Sequence, residues 1–501
     1  MQTRDAERQV IAWSLAIITV LVATVVWRTD GAFGYSLDDP YIHLALAKNI
    51  WLGHYGINSG EMAAPSSSII WPLLLAPFAG TSFGQFAPLL INAACLVGTA
   101  VLLLRFLVIH MSPRPAVLLT LASVFSLNLF GVVFTGMEHN LQVLLVAIIA
   151  VTLGGVSLPR YWLFIALCLL PMVRYEGLAI SVPVLIWRAT AGEAKSAAIA
   201  AAALIAGIIG FSEFLYVNDL GALPSSVLAK QQTLSLDGFG RIRSLLMTLR
   251  DNLSAMRTYA VLVALVFFAG FFRKGLSPLI VILTVSSTLV FTLGHNGWFG
   301  RYELYFLLFC LIIAAAIGFP LLNKSRMDRA APVIAMVLLV VNIELWPVTF
   351  ATPEAARNIR FQQHQLGVIA SQFLKEPIAV NDLGWVAYTS HDYVLDLVGL
   401  ASREALLAQQ SDKSGAWVEA IMERKHVEFA FVYPGWFPNR PHNWIRVGDL
   451  VYRGPKVTIS EDRVGLFATS PAAAQRLKVA LDAFQKSAED SPSRIEFAEG
   501  Y

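Results

Sequence analysis

Two adjacent carboxylates, Asp38 and Asp39, are the first residues of the chain whose types indicate chemistry. They lie in the stretch YSLDDPYIHLALAKNIWLGHYGINSGEMAAPSSSIIW (35–71), shortly after an apolar run near 10–28. A carboxylate pair beside a membrane suits general-base catalysis, metal binding or stabilisation of a developing positive charge. Pro40 is typical of a helix start and gives Asp39 a structural alternative as the N-cap, which leaves Asp38 unexplained.

Other ionisable residues lie in short segments between apolar runs. Charged groups at span ends are costly unless they are hydrated or paired, so each is a functional candidate. A local salt bridge or a snorkelling side chain is the structural alternative for each one. The candidates for substrate binding are His43, Glu138, His139, Arg174, Glu176, Lys230, His295, Arg301 and Tyr302. Of these, Lys230 and Arg301 suit an anionic headgroup such as phosphate.

The composition indicates a membrane protein, because 56% of the 501 residues are hydrophobic and only 14% are charged. Soluble domains carry about 25% charged residues. A formal net charge of +3, with no basic patch, gives no reason to expect a nucleic-acid partner. The three cysteines all lie inside apolar runs, so neither a disulfide framework nor a metal-ligand spacing is predicted.

Eleven apolar segments predict membrane spans, two of them short enough to form one broken pair. They lie near 10–28, 86–109, 115–134, 141–157, 160–173, 176–188, 196–217, 257–272, 277–294, 303–322 and 331–350. Basic residues such as Arg105, Arg188 and Arg326 gather at alternate ends of these segments. By the positive-inside rule these ends and the N-terminus are cytoplasmic, and the acidic loops are on the outer side.

Residues 241–257 depart from this rule, because they carry arginines on the predicted outer side. Arg243, Arg250 and Arg257 repeat every seven residues, and leucines occupy another helical face. The pattern predicts an amphipathic helix at the membrane interface. It fits either anchorage to anionic headgroups or contact with a lipid-linked phosphate.

The change in composition near residue 350 predicts two domains. Residues 1–350 form the transmembrane domain, with outer loops at 29–85 and 218–256, and residues 351–501 form a soluble extracytoplasmic α/β domain. Strands are expected at 376–382, 392–398 and 426–434, a hairpin at 450–454 and 463–470, and helices at 402–424 and 471–488. Asp382-Leu383-Gly384 after the first strand is either a simple turn or the start of a helix that binds an anion.

Several short strings resemble the GT-C superfamily of integral-membrane glycosyltransferases, particularly bacterial arabinofuranosyltransferase-like members. They are L-D-D-P-Y-I-H-L-A-L-A-K-N-I (37–50), T-G-M-E-H (135–139), R-Y-E-G (174–177), L-P-S-S-V-L-A-K (223–230) and F-G-R-Y-E-L-Y-F (299–306). The chain departs from the pattern at Tyr175, where proline is usual, at Ser225 and Ser226, where N-T is usual, and at 63–71. The sugar and the acceptor are therefore left open by the resemblance.

The resemblance implies a role for each matching residue. Asp38 would be the catalytic base, and Asp39 would assist by binding a metal or by holding the loop. Lys230 and Arg301 would contact the donor phosphate. Glu138, Arg174 and Glu176 would line the sugar or acceptor side. Some members of the superfamily need a divalent ion, so Mg²⁺ or Mn²⁺ at Asp38 and Asp39 is an open alternative, and no organic cofactor is expected.

The function expected from this resemblance is an inverting hexosyl- or pentosyltransferase of the bacterial inner membrane, with its site on the periplasmic side. It would move a sugar from a polyprenyl-phosphate donor to an envelope glycan, lipid or protein. Two alternatives are a transporter or flippase, and a polymerase or ligase with a diphosphate-linked donor. A transporter should show inverted repeats and polar residues at mid-span, and neither pattern is found in the sequence.

Overall fold

The computed structural model describes residues 2–231, 238–272, 277–294, 296–412, 414–488 and 491–500, without the side chains of residues 230, 231, 238 and 239. An apolar helical part precedes a smaller part built on one β-sheet, which confirms the predicted class of helical membrane protein with a C-terminal α/β domain. The helices of the first part are α1 (Thr3–Arg28), α2 (Asp39–Trp51), α3 (Ile70–Ala79), α4 (Ala87–His110), α5 (Pro113–Ser126), α6 (Leu129–Val133), α7 (His139–Leu153), α8 (Arg160–Val173), α9 (Leu178–Arg188), α10 (Ala194–Val217), α11 (Ser225–Gln231), α12 (Gly238–Ala255), α13 (Arg257–Phe272), α14 (Pro278–Leu293), α15 (Leu304–Gly318) and α16 (Lys324–Val341).

Four helical segments of the described chain are long and apolar enough to cross a membrane, or five if one bent pair counts as a span. They are Thr3–Arg28, Gly84–His110, Tyr175–Val217 and Leu304–Leu321, and the pair is α12 with α13. Shorter apolar helices include α7, α8 and α14. The predicted apolar segments therefore do form helices, but 115–134 is divided between α5 and α6. The number of spans stays a prediction.

The last predicted span, 331–350, is not one helix. Helix α16 ends at Val341, and α17 (Pro347–Phe361) begins after a short break. Proline fits the first turn of a helix, where its missing N–H is not needed, so Pro347 starts a new helix. Helix α17 also crosses the predicted domain boundary at residue 350 and leads directly into the C-terminal part.

The C-terminal part contains a six-stranded mixed sheet in the order β2-β1-β3-β5-β4-β6. Strands β2, β1 and β3 are parallel, and β5, β4 and β6 continue the sheet in antiparallel pairs. Its elements are α18 (Gln363–Val368), β1 (Ile378–Val380), α19 (Gly384–Thr389), β2 (Val394–Asp396), α20 (Arg403–Ser411), α21 (Ala416–Arg424), β3 (Phe429–Val432), β4 (Ile445–Tyr452), β5 (Arg463–Ala468), α22 (Pro471–Ser487) and β6 (Ser493–Phe497). All the predicted strands occur, and so does the helix predicted at 471–488. The helical sequence at 402–424 forms two helices, α20 and α21, and β6 is an additional edge strand.

Alternate residues of the central strands build a separate core on each face of the sheet. Ile378 and Val380 face a core that includes Leu477 of α22. Ala379 faces a second core that includes Ile421 of α21. Because side chains alternate along a strand, a sheet with helices on both faces needs apolar residues at successive positions, as the β1 sequence I-A-V supplies.

Helix α2 lies between two apolar cores and joins the two parts of the molecule. Tyr41 and Leu44 pack into the core of the helical part, whereas Ile42 and Leu46 pack into a core under the sheet. The Tyr41 ring also stacks on the Trp385 ring of α19, with centroids 3.9 Å apart. Apolar residues on nearly all sides of α2 are thus explained by burial from two directions.

Leu46→Ala tests this packing. Leu46 is fully buried, so we expect its truncation to cost about 2–5 kcal/mol of stability, from lost burial and the cavity left behind. The measurement is thermal unfolding of the full chain in detergent, followed by tryptophan fluorescence. Leu52→Ala is the matched control, because Leu52 follows the same helix and is 72% exposed. Equal midpoints for the two variants would contradict the packing.

Candidate active site

A cavity of about 230 Å³ lies where α2, the segment after α8 and the loop before α15 meet. Seven of its twelve lining residues are polar or charged, and the lining comes from both parts of the molecule: Asp39, Ile42, His43, Pro65, Ser67, Met137, Arg174, Ser226, Trp298, Arg301, Tyr302 and Leu400. Several of the residues predicted from the sequence are therefore brought together. A cavity with few convergent polar groups is the usual form of a small-molecule site.

Asp39 and Arg301 form the charged pair at this cavity. Nη2 of Arg301 donates to Oδ2 of Asp39 at 2.6 Å, and also to the Tyr302 hydroxyl at 3.1 Å. The Arg301 side chain is 3% exposed, whereas that of Asp39 is 39% exposed. Within the described residues, Nε and Nη1 of Arg301 have no hydrogen-bond partner. A buried guanidinium with N–H groups to spare suits an anionic ligand.

Tyr302 lies beside a second cation, Arg174. The Tyr302 ring centroid is 4.9 Å from Cζ of Arg301 and 5.1 Å from Cζ of Arg174. Arg174 donates to Oε1 of Glu138 at 2.8 Å and to Oε1 of Glu176 at 2.9 Å. Because a buried charge is tolerated only when paired, the two glutamates hold Arg174 in place at the cavity wall.

An apolar groove of about 370 Å³ lies beside the polar cavity. Ser67 and Arg174 line both spaces, so the two are adjacent. The groove runs between α9, α14 and α15, and its lining is Ser67, Arg174, Tyr175, Glu176, Leu178, Ala179, Val182, Val227, Leu289, Val290, Leu293, Gly294 and Tyr305. Polar and apolar halves of one site are what a ligand with a polar head and a hydrocarbon tail requires.

Asp38 does not line this cavity. Its Oδ2 accepts the backbone N–H of Gly384 at 2.6 Å, and its Oδ1 accepts that of Trp385 at 2.9 Å. Asp38 is 6% exposed. The expectation that Asp39 is the N-cap is also wrong, because α2 begins at Asp39 and Asp38 occupies the cap position without a side-chain cap bond. The carboxylate instead binds the first N–H groups of α19.

The turn Asp382-Leu383-Gly384 is thus the start of a helix, and the anion at its N–H groups is the Asp38 carboxylate. A Cβ at Gly384 would lie 2.1 Å from the Asp38 carbonyl oxygen and 2.5 Å from Oδ2. Only glycine allows this approach, since real Cβ atoms essentially never come within 3.0 Å of another atom. The sequence indicated a turn that could bind an anion, but it did not indicate Asp38 as that anion, because the two lie 346 positions apart.

Asp382 is half-buried close to Asp38 and is held by neutral groups. Its Oδ2 accepts from Nε2 of Gln363 at 2.8 Å, and the Tyr433 hydroxyl is 3.5 Å away. Burial, with the charge of Asp39 nearby, raises the pKa of Asp382 to about 6. Burial and the charge of Asp382 raise the pKa of Asp38 well above its ordinary value. The contact between the two parts of the molecule therefore favours a protonated carboxyl group.

The remaining predicted residues are placed differently. His43 lines the cavity, and burial lowers its pKa, so the ring is neutral. His139 is fully buried, with its ring 5.6 Å from that of Tyr302. The Lys230 side chain and the whole of His295 lie outside the described residues. Helix α11, which carries residue 230, places Ser226 at the cavity and Val227 at the groove.

Local backbone geometry explains two of the motif glycines. Gly136 has φ +67° and a Cβ there would lie 2.7 Å from Cβ of Pro40, so the T-G-M-E-H segment packs directly against the start of α2. A Cβ at Gly177 of R-Y-E-G would lie 2.6 Å from Cγ of Leu170. Both contacts position the acidic residues of their motifs.

Leu400 and Trp298 were not predicted from the sequence as site residues. Leu400 comes from the C-terminal part, where the buried Asp396 carboxylate accepts the N–H groups of Val398 and Ala401 at 2.9 and 2.8 Å. These bonds fix the loop that places Leu400 at the cavity. Because Leu400 is an apolar residue in a loop after a strand, its type and position in the sequence do not indicate a binding site.

Asp38 and Asp39 both have other partners in the structure. Both oxygens of Asp38 are used by N–H groups, and Asp39 contacts the cation Arg301. No group of three or more His, Cys, Asp or Glu side chains in the described ranges could hold a metal ion. A divalent cation accordingly stays a prediction, and the chemistry proposed below uses residues of the chain alone.

Comparison with known proteins gives one family match and several structural similarities. A domain of unknown function, DUF8728, matches residues 356–467, which include the Asp38-binding turn and Leu400. No curated protein sequence matches the chain.

Three solved structures illustrate the similarity. The apo oligosaccharyltransferase of Archaeoglobus fulgidus has 13% identity and a TM-score of 0.46 over 92% of this chain and 74% of that one. Apo ArnT of Cupriavidus metallidurans has 10% identity and a TM-score of 0.49 over 92% and 98%. ArnT bound to undecaprenyl phosphate has 9% identity and a TM-score of 0.48 over 92% and 99%. Similarity at this level does not determine a shared activity or substrate.

Asp382→Asn should reduce the pH dependence of stability. The pKa of Asp382 is about 6 when folded and 3.8 ordinarily, so the folded protein binds more protons than the unfolded chain in that window. Stability therefore falls as the pH rises through it. We expect a smaller fall for Asp382→Asn in thermal unfolding between pH 4 and about 6.5, and an unchanged fall for Asp462→Asn, which is exposed. Equal slopes for wild type and Asp382→Asn would contradict the assignment.

Proposed function

We propose that this chain is an inverting glycosyltransferase that moves a sugar from a polyprenyl-phosphate donor to an envelope glycan, lipid or protein acceptor. The proposal rests on the Asp39–Arg301 pair in a polar cavity that shares two wall residues, Ser67 and Arg174, with an apolar groove. A base, an anion-binding cation and a place for hydrocarbon are the three groups that such a donor needs. The motif resemblance given above supports the same class of reaction.

Asp39 is assigned as the base in place of Asp38. Of the two carboxylates, Asp39 lines the cavity and is 39% exposed, whereas both oxygens of Asp38 are bound to backbone N–H groups. A general base must come within hydrogen-bond reach of the proton that it removes. Asp38 would have to release the C-terminal part to do so.

The proposed step is a direct displacement at the anomeric carbon. The acceptor oxygen forms a bond to this carbon, its proton passes to the Asp39 carboxylate, and the bond from the anomeric carbon to the phosphate oxygen breaks. The bonding electron pair leaves with the phosphate, which departs as polyprenyl phosphate. One displacement inverts the configuration. Because the phosphate is a good anionic leaving group, a general acid is not required.

Arg301 is assigned to the donor phosphate. Its Nε and Nη1 groups have no partner among the described residues, and they can bind phosphate oxygens while Nη2 remains on Asp39. The developing negative charge is then next to a fixed, buried cation. Lys230 is proposed as a second contact on the strength of its motif.

The apolar groove is assigned to the polyprenyl chain. Leu178, Val182, Leu289 and Leu293 offer aliphatic side chains along it, and van der Waals packing with isoprene units favours their burial. Arg174 lines both the groove and the polar cavity, and its partner Glu176 lines the groove, so both are proposed to contact the sugar. With the positive-inside orientation, the cavity opens at the periplasmic side of the inner membrane.

Asp39→Asn should reduce glycosyl transfer by about 10²–10⁴-fold, because the base is lost while the shape of the side chain is kept. Asp38→Asn should retain measurable transfer at a lower thermal midpoint, because one acceptor oxygen for the α19 N–H groups remains. The assay uses membranes from cells making each protein at equal levels, supplied with a panel of radiolabelled polyprenyl-phosphate sugars.

The opposite pattern, with folded Asp38→Asn inactive and Asp39→Asn active, would restore Asp38 as the base. A diphosphate-linked panel is run in parallel. Transfer only from diphosphate-linked donors would replace the proposed donor with that class, and uptake without transfer would favour transport.

Arg301→Gln should raise the KM for the donor by roughly 10–100-fold, since hydrogen bonds to a charged group contribute about 1.5–3 kcal/mol. Arg424→Gln, in which an exposed arginine of α21 is replaced, should leave KM unchanged. The measurement is donor titration at saturating acceptor. An unchanged donor KM for Arg301→Gln with wild-type thermal stability would remove Arg301 from the phosphate site.

A further inference from the structure

Helix α12 lies at a right angle to α13. The axes of residues 240–255 and 257–272 differ by 92°. Helix α13, with the sequence R-T-Y-A-V-L-V-A-L-V-F-F-A-G-F-F, is apolar beyond its first residues. Such a helix is stable inside a bilayer with its axis across it, so the bend directs α12 along the membrane surface.

A second contact places α12 across the end of α14. Asn252 is 1% exposed, and its Nδ2 donates to the carbonyl oxygens of Phe291 at 3.0 Å and Gly294 at 2.9 Å. These carbonyls are at the C-terminal end of α14, where helix carbonyls lack partners within the helix. Asn252 therefore caps α14 and fixes α12 at the level where that helix leaves the bilayer.

The opposite side of α12 is exposed and carries arginines between apolar side chains. Arg243 and Arg250 line a shallow cavity of about 350 Å³ together with Ile242, Leu246 and Met247. The three apolar side chains are 58%, 60% and 46% exposed. From 241 to 257 the charged residues are Arg241, Arg243, Arg250, Asp251 and Arg257.

We propose that this face of α12 binds the phosphates of anionic phospholipids. The charges of the segment are four arginines and one aspartate, which complement a negative membrane surface. Arg250 donates to Oδ1 of Asp251 at 2.8 Å, but both side chains are more than half exposed, so the pair is weak enough to exchange for a lipid phosphate. Leu246 and Met247 would enter the acyl region.

The exposed face of α12 is expected to bind phospholipids of the surrounding membrane and not the sugar donor. Neither Arg243 nor Arg250 lines the polar cavity or the apolar groove. The arginines are therefore outside the site assigned to the donor, and their contacts need only the phosphate of a surrounding lipid. Binding of phospholipid at α12 does not require that the chain be a glycosyltransferase.

The test uses the full chain labelled with an environment-sensitive fluorophore at Leu246→Cys. The native cysteines, Cys95, Cys168 and Cys310, are all buried, so the label reports on α12. The protein is reconstituted in nanodiscs of phosphatidylcholine, alone or with phosphatidylglycerol, that carry an acyl-chain quencher on one lipid. We expect the label to be quenched more strongly when phosphatidylglycerol carries the quencher than when phosphatidylcholine does. This preference should fall at least about fivefold in Arg243→Gln/Arg250→Gln, and added salt should also lower it.

Arg424→Gln/Arg453→Gln is the control, because both residues are exposed arginines of the C-terminal part, and it should keep the preference. Equal quenching by the two lipids in the wild type, or an equal preference in the α12 double variant, would overturn the proposal. A parallel sample contains polyprenyl phosphate in place of phosphatidylglycerol. A preference for polyprenyl phosphate alone would also overturn the proposal, and it would indicate that the arginines of α12 bind the phosphate of the donor.

Discussion

The arrangement of the two parts depends on the Asp38 carboxylate and the N–H groups that bind it. A buried carboxylate is stable only when its oxygens are hydrogen-bonded, and Gly384 and Trp385 supply both bonds. Next to these hydrogen bonds, the stacked rings of Tyr41 and Trp385 also join α2 to α19. Successive residues of a helix point about 100° apart. When Asp38 is held against α19, Asp39 therefore points in another direction, where it lines the cavity. Two adjacent acids can thus have separate tasks.

The same contact makes the C-terminal part a component of the site. The DUF8728 segment includes Leu400, which forms part of the cavity wall. Asp382 adds a carboxyl group whose pKa is raised to about 6, so the junction is electrostatically costly near neutral pH. The apolar packing of Ile42 and Leu46 offsets this cost. A detached C-terminal part would leave both Asp38 and the cavity incomplete.

Sequence patterns predicted most elements because their causes are local. Long apolar runs predicted the helices, short apolar runs bounded by turns predicted β1 to β5, and the arginine spacing predicted α12. The role of Asp38 could not be read in this way, since it depends on a turn 346 residues away. The pairing of Arg301 with Asp39, separated by 262 positions, was similarly invisible, although both residues were singled out by type. Side-chain orientation follows from tertiary packing, which a single sequence does not reveal.

The central claim is that Asp39 serves the reaction while Asp38 holds the C-terminal part. A cryo-electron-microscopy structure of the full chain with a non-transferable polyprenyl-phosphate sugar analogue tests it most directly. We expect the sugar in the cavity beside Asp39, the phosphate on Arg301, and the Asp38 carboxylate still bound to the N–H groups of Gly384 and Trp385. An Asp38 carboxylate released from α19 and directed at the sugar, with Asp39 away from it, would contradict these roles.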